Sequence, residues 1–173
     1  MKRILITLLA TILLTPSSAF AQRKRSTSRP RTPATSQSQG VSQVRTAGAT
    51  RVAEQIKLLS RFIYLLGGVA SGIAQVDEAV RRNEASPALV QQNQQSKARV
   101  KSSIEGFRES LDKLEIDFRA TPELQPYYIK LAGVAAGAAT AEEQATNNQF
   151  DAAGRSLLTV VGRLTDVLVV MRQ

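Results

Sequence analysis

The chain has 173 residues, of which 43% are hydrophobic and 21% are charged, as is typical of one globular domain. It contains neither cysteine nor histidine, which excludes disulfides, covalent haem attachment, zinc sites of the usual kind, and Ser-His-Asp or Cys-His catalysis. The formal net charge is +9. We therefore expect a protein that is not an enzyme and holds no metal ion or cofactor, and the distribution of its charge becomes the main indication of function.

Residues 1–21 have the pattern of a targeting segment. Two basic residues are followed by the apolar run ILITLLATILL, which is too short to cross a bilayer comfortably, and then by the small-x-small signature Ala19-Phe20-Ala21. This pattern predicts a bacterial signal peptide cleaved after Ala21, and a periplasmic or secreted protein. The basic residues that follow Ala21 disfavour translocation, so retention as a membrane anchor is the alternative.

Residues 22–50 are predicted to be a disordered basic arm. The segment is rich in Ser, Thr, Pro, Gln and Gly, and has almost no large apolar side chain to offset the entropy lost on folding. It contains no acidic residue, and five of its basic residues are the candidate electrostatic tether: Arg23, Lys24, Arg25, Arg29 and Arg31.

The positive charge of the exported chain lies almost wholly in this arm. All 14 acidic residues lie beyond residue 51, where 14 of the 23 basic residues balance them. A polycation in the cell envelope binds anionic components such as lipid head groups or lipopolysaccharide. A solubilising spacer is the alternative. Nucleic acid is a poor match, because no aromatic residue of the arm can stack on bases.

Residues 51–173 are predicted to be all-α. Apolar residues recur at alternating steps of three and four, and Ser86-Pro87 and Thr121-Pro122 are residue pairs that favour helix starts. The predicted helices are about 51–84, 87–119, 122–147 and 150–172. Because their connections have only two to five residues, neighbouring helices are antiparallel, which predicts an up-down-up-down four-helix bundle.

The first predicted helix is apolar on two sides. Besides its main stripe it carries a second one, so we expect it to contact neighbours on both sides. The residues of the second stripe are Leu58, Phe62, Leu65, Val69, Gly72 and Val76. The apolar run after Arg61 has only about fifteen residues, which is short for a membrane span, so we expect no span in the exported chain.

The first and third helices share a motif. Residues 66–74 read LGGVASGIA and residues 131–139 read LAGVAAGAA, identical at six positions with a constant offset of 65 residues. The match continues to Asn83 and Asn148. We interpret it as an internal repeat, so that two helical hairpins form the bundle with helices one and three diagonal across it.

Two groups of residues are candidates for binding a ligand or partner. Gly68, Gly72, Gly133 and Gly137 are expected to line a seam between helices one and three. Small residues four apart let helix backbones pack closely, or leave a slot for a ligand.

The second group is polar. Asp77 and Glu142, at equivalent positions of the repeat, are expected to reach the interior near one end of the bundle, together with Asn93 and Lys97. Lys97 is expected to pair with one of the carboxylates, because a buried charge needs a partner. A di-iron site is not expected, because such sites use Glu-x-x-His motifs.

The sequence thus predicts a non-enzymatic, exported helical binding module, tethered through its basic arm to an anionic envelope component or an envelope protein. The alternative is a periplasmic chaperone-like or small-ligand carrier that uses the glycine seam. The oligomeric state stays open, because apolar stripes with heptad spacing also occur in dimer interfaces.

Overall fold

The computed structural model describes the backbone of residues 34–173 and the side chains of residues 39–173. The predicted signal peptide and residues 22–33 of the predicted arm, with all five tether residues, lie outside the described residues. Within the described part of the chain 88% of residues are helical and none lies in a β-strand, which confirms the all-α class.

Five helical segments follow one another along the described chain. They are α1 (Ala34–Arg81), α2 (Pro87–Ala120), α3 (Gln125–Leu131), α4 (Val134–Thr146) and α5 (Phe150–Met171). Because only two residues separate α3 from α4, these two are one interrupted helix. The described chain therefore has four long helical units.

The bounds of α2 and α5 agree with the sequence prediction to within one residue. The start of α2 has the predicted chemistry, since the Ser86 hydroxyl oxygen accepts a hydrogen bond from the backbone N–H of Leu89 at 3.3 Å. Pro87 occupies the first helical position, where its missing N–H removes no hydrogen bond.

The first helix differs from the prediction at its start, because α1 already includes residues 34–50. The end of this extension packs on the core: a Cβ atom at Gly48 would lie 2.8 Å from Cδ2 of Leu124 and 3.1 Å from Cε of Met171. The polar composition that predicted disorder disfavours nucleating a helix. Continuing an existing helix costs much less, since each added residue gains a hydrogen bond.

In the part of the chain that the structure describes, α1 is also the one helix long and apolar enough to cross a membrane by length and composition. The mean hydropathy of its most apolar window is 1.4, and only 22% of that window is buried. Length and composition do not place a helix in a membrane, so the expected absence of a span stays a prediction. The low burial does show that α1 directs much apolar surface outward.

The helices enclose one hydrophobic core. α1 and α4 each contact α2 and α5, and α3 contacts the same two helices. The largest fully buried side chains come from every helical segment, and include Leu59, Ile104, Leu111, Phe118, Leu124, Leu131, Val134, Leu157 and Leu164.

Contacts between neighbouring helices run in opposite directions along the chain. Arg51, early in α1, pairs with Asp117, late in α2, whereas Asp77, late in α1, pairs with Lys97 in the first half of α2. The opposite order of the two pairs shows that α1 and α2 are antiparallel.

The predicted helix 122–147 is interrupted at Gly133, which has a φ of +90°. Glycine adopts this left-handed conformation without steric cost, and the helical hydrogen bonds stop there and restart. The restart changes which residues face the core. Val134, Ala138 and Ala141 are buried, whereas the predicted core position Ala135 is only half-buried.

The ends of α1 and α4 are equivalent at the predicted offset of 65 residues. Asn83 and Asn148 both adopt left-handed conformations, with φ of 60° and 59°. The N–H of Glu84 donates to the carbonyl of Ala79 at 2.9 Å, and the equivalent N–H of Gln149 donates to Gln144 at 2.8 Å. The two helices therefore end in the same local structure.

Candidate functional site

The predicted polar cluster forms between α1 and α2. Oδ1 of Asp77 accepts hydrogen bonds from Nδ2 of Asn93 and Nζ of Lys97, both at 2.7 Å. Asn93 is buried, and the Lys97 side chain is only 12% exposed. Because these groups satisfy one another, the cluster is a polar layer that joins α1 to α2.

Glu142 does not belong to this cluster. Its Oε2 atom pairs with Nε of Arg108 at 2.5 Å. Arg108 and Lys97 are eleven residues apart on α2, which corresponds to roughly 16 Å along the helix. The restart of the helix at Gly133 has moved Glu142 from the predicted core line, so its expected proximity to Asp77 is wrong. The described residues contain no group of three or more acidic side chains arranged to hold a metal ion.

The four candidate glycines do not form one seam. Gly68 and Gly72 are exposed on α1, and a Cβ atom at either would meet nothing within 4 Å. A Cβ atom at Gly137 would lie 2.8 Å from Cγ2 of Val160 on α5. Gly133 forms the break before α4. The seam fails because large side chains of the core lie between α1 and α4.

Two of these glycines line an open groove between α4 and α5. The groove has a volume of about 360 Å³ and is lined by Gly133, Ala136, Gly137, Thr140, Ser156, Thr159, Val160 and Arg163.

The polar groups of this groove are oxygen acceptors and one guanidinium. The hydroxyls of Thr140 and Thr159 donate to carbonyls one turn earlier in their helices, and Ser156 donates to Oε1 of Gln144. Nη1 of Arg163 lies 3.4 Å from the carbonyl oxygen of Gly133. A small floor with one cation at its end fits a small ligand that carries an anionic group.

Gly72 lines a different groove, between α1 and α2. One part, of about 260 Å³, is lined by Val69, Gly72, Ile73, Val76, Leu89, Gln92, Asn93 and Ser96. An adjoining part, of about 200 Å³, is lined by Phe62, Val69, Ser96, Arg99, Val100 and Ser103. The two parts share Val69 and Ser96, and neither is lined by an acidic side chain.

The second apolar stripe of α1 lies beside this groove and is largely uncovered. Leu58, Leu65 and Val69 are 48%, 55% and 40% exposed, whereas the Phe62 ring packs against Phe107 with 5.1 Å between centroids. We call Leu58, Leu65, Val69, Gly72 and Val76 the apolar strip. The sequence contained this stripe, but the expected burial against a second neighbour is wrong.

Comparisons with known proteins do not assign this surface. The chain matches no protein-family model, no curated protein and no solved structure. Its function is therefore argued from the charge of the chain and from the surfaces that the helices leave uncovered.

Proposed function

We propose that the protein is an exported, non-enzymatic helical binding module of the bacterial cell envelope, and that its basic arm is an electrostatic tether to an anionic component. Lipid head groups and lipopolysaccharide have the required charge, and an acidic surface of an envelope protein is the other kind of partner. The observation that carries the proposal is the segregation of charge: the arm has no acid, whereas the region beyond residue 51 is balanced.

Export rests on the pattern of residues 1–21, a basic start, a short apolar run and a small-x-small end. We expect the periplasmic or secreted protein to begin at Gln22. Throughout, the processed chain means this exported form, and its first residue is checked by N-terminal sequencing of the protein from the periplasmic fraction.

The domain that the arm carries is proposed to be an up-down-up-down four-helix bundle built from two repeated hairpins. The antiparallel contacts of α1 with α2, and the contacts of α1 and α4 with α2 and α5, support this topology. The equivalent ends at Asn83 and Asn148 support the repeat. Such a bundle is a rigid body for the arm to hold at a surface.

The strength expected of the arm is large enough to matter. A basic residue near an anionic membrane contributes about 1 kcal/mol, so the five tether residues together contribute about 5 kcal/mol at moderate salt. This corresponds to roughly three to four orders of magnitude in affinity. The interaction needs no specific pocket, consistent with the absence of a catalytic arrangement in the described residues.

The test is to neutralise the tether and measure binding of the processed chain to vesicles that contain anionic phospholipid. The tether variant replaces Arg23, Lys24, Arg25, Arg29 and Arg31 with Gln. The matched control makes the same charge change on the helices, by replacing the exposed residues Arg81, Arg82, Arg119, Arg155 and Arg172 with Gln.

We expect the tether variant to lose binding and the control to keep most of it, because only the arm concentrates positive charge without acids. Equal loss in both variants would show that net charge alone matters. Unchanged binding by the tether variant would also contradict the proposal. Circular dichroism checks that both variants keep the helicity of the parent.

A small-ligand or chaperone-like carrier is the second candidate, and the groove between α4 and α5 is the observation that favours it. The groove combines Gly133 and Gly137 with Arg163. Native mass spectrometry of the protein purified gently from the periplasm tests it. An added mass that is lost on denaturation, and that is absent from an Arg163→Gln variant, supports the carrier; a bare polypeptide mass contradicts it.

A further inference from the structure

The apolar strip is a continuous feature of one face of α1. Its residues from Leu58 to Val76 follow steps of seven, four, three and four, which keeps them on one side of a helix. The strip is about 27 Å long at the rise of an α-helix. Gly68 lies at its edge, where a Cβ atom would meet nothing within 4 Å. The strip therefore faces open space along five helical turns.

The corresponding residues of α4 are buried, which shows that this face is uncovered for a local reason. Val69 and Val76 correspond, at the offset of 65 residues, to Val134 and Ala141, which are both 0% exposed. The break at Gly133 turns these positions of α4 toward the core. α1 has no break at the equivalent Gly68, so the same positions remain outside.

The surroundings of the strip carry positive charge. Exposed Arg61 lies one turn before Leu65, and Arg99 lines the adjoining groove. The nearby acids Glu54 and Asp117 are both paired with basic residues, Glu54 with Lys57 at 3.9 Å and Asp117 with Arg51. A partner for the strip is therefore expected to combine an apolar surface with negative charge.

A second copy of the chain fits these features less well than an anionic bilayer. A strip about 27 Å long and about 10 Å wide offers roughly 270 Å² to a partner. A stable dimer buries about 800 Å² on each subunit, so the strip alone is too small. A second copy also brings the same positive charge. A bilayer interface supplies hydrocarbon and anionic head groups together.

We infer that the apolar strip inserts into the interface of an anionic membrane, so that α1 lies on the bilayer while the arm binds its head groups. This inference rests on the proposed function for the negative charge and identifies lipid as its source. Stable attachment to a membrane surface requires two signals, and the chain has one of each kind. Leu59 and Leu66 of the same helix stay in the core, so α1 does not span the bilayer.

The first experiment compares two variants of the processed chain on vesicles of phosphatidylglycerol and phosphatidylcholine. The strip variant carries Leu58→Gln, Leu65→Gln and Val69→Gln. The matched control replaces three exposed apolar residues of other helices with Gln: Ile116, Ile129 and Leu158. We expect affinity to fall about tenfold or more in the strip variant and to remain near the parent value in the control.

A second measurement reports insertion directly. The chain has no cysteine, so a single Leu65→Cys or Ile129→Cys variant can be labelled at one site with an environment-sensitive fluorophore. Binding to anionic vesicles is expected to shift the emission of the label at position 65 to the blue and leave the label at position 129 unchanged. The substitutions are at exposed positions, so the fold is expected to persist, and circular dichroism checks this.

The outcomes separate this inference from the proposed function. If the tether variant loses binding while the strip variant binds like the parent and the label at position 65 does not shift, the inference is wrong and the tether stands. If neutralising the tether has no effect, the proposed function fails. Resistance to alkaline extraction would show a spanning α1, and a strip-dependent dimer without vesicle binding would show a second copy as the occupant; either result overturns the inference.

Discussion

Single residues of the same type have different roles in this chain, and the glycines show it most clearly. Gly68 lies in a continuous helix with open space around it, Gly137 is in contact range of Val160, and Gly133 needs its positive φ. The sequence motif is the same around Gly68 and Gly133. What differs is whether the helix continues through the glycine.

This difference predicts opposite effects of two alanine substitutions. Gly68→Ala is expected to raise the free energy of unfolding by about 0.5–1 kcal/mol, because alanine restricts the unfolded chain and favours helix. Gly137→Ala is expected to lower it by about 1–3 kcal/mol, because the new Cβ atom crowds Val160. Urea denaturation of both variants measures the two changes. The same sign in both would contradict the packing described for these glycines.

The polar residues at this scale were partly predictable. Asp77, Asn93 and Lys97 interrupt apolar lines of their helices, and a polar group on such a line needs a partner, so their meeting followed from the sequence. Glu142 occupies the same position in the repeat as Asp77. It was misplaced because the prediction assumed a continuous helix through Gly133.

At the scale of helices, the interruption between α3 and α4 organises the second hairpin. The first N–H groups of a helix have no partner within it. Oε1 of Glu115, on α2, accepts a hydrogen bond from the backbone N–H of Ala135 at 2.7 Å, in the first turn of α4. The carboxylate thus caps the restarted helix from a neighbouring one, where its charge also interacts favourably with the helix dipole.

We therefore expect Glu115→Ala to lower the free energy of unfolding by about 1 kcal/mol, as for the loss of other helix caps. Glu115→Gln keeps an acceptor and is expected to cost less. Glu109→Ala, an exposed position on the same helix, is the control and should lie within about 0.5 kcal/mol of the parent. Thermal or urea unfolding gives the comparison. Equal stabilities of the Glu115→Ala and Glu109→Ala variants would show that the cap is unimportant.

The helix bounds could be predicted where local chemistry determines them. Ser86 and Pro87 specify the start of α2, and the starts and ends of α2 and α5 agree with the periodicity. The extension of α1 through residues 34–50 could not be predicted, because it depends on elongation from a helix that tertiary packing stabilises. The break at Gly133 could not be predicted either, because the equivalent motif at Gly68 is helical.

At the scale of the whole molecule, two properties agree in direction. The arm concentrates positive charge at one end of the chain, and the helix that continues from it carries an apolar strip beside Arg61. The charge was readable from the sequence alone. The exposure of the strip was not, because a turn of 100° per residue decides which of two apolar stripes faces the core.

The most direct test of the tether is the affinity of the processed chain for anionic vesicles as a function of salt. Between about 0.01 M and 1 M salt the screening length falls from about 30 Å to about 3 Å, which removes attraction between the arm and the head groups. We predict that affinity falls by about two orders of magnitude or more over this range, and that the tether variant shows little dependence. An affinity for the parent chain that does not change with salt would contradict the account.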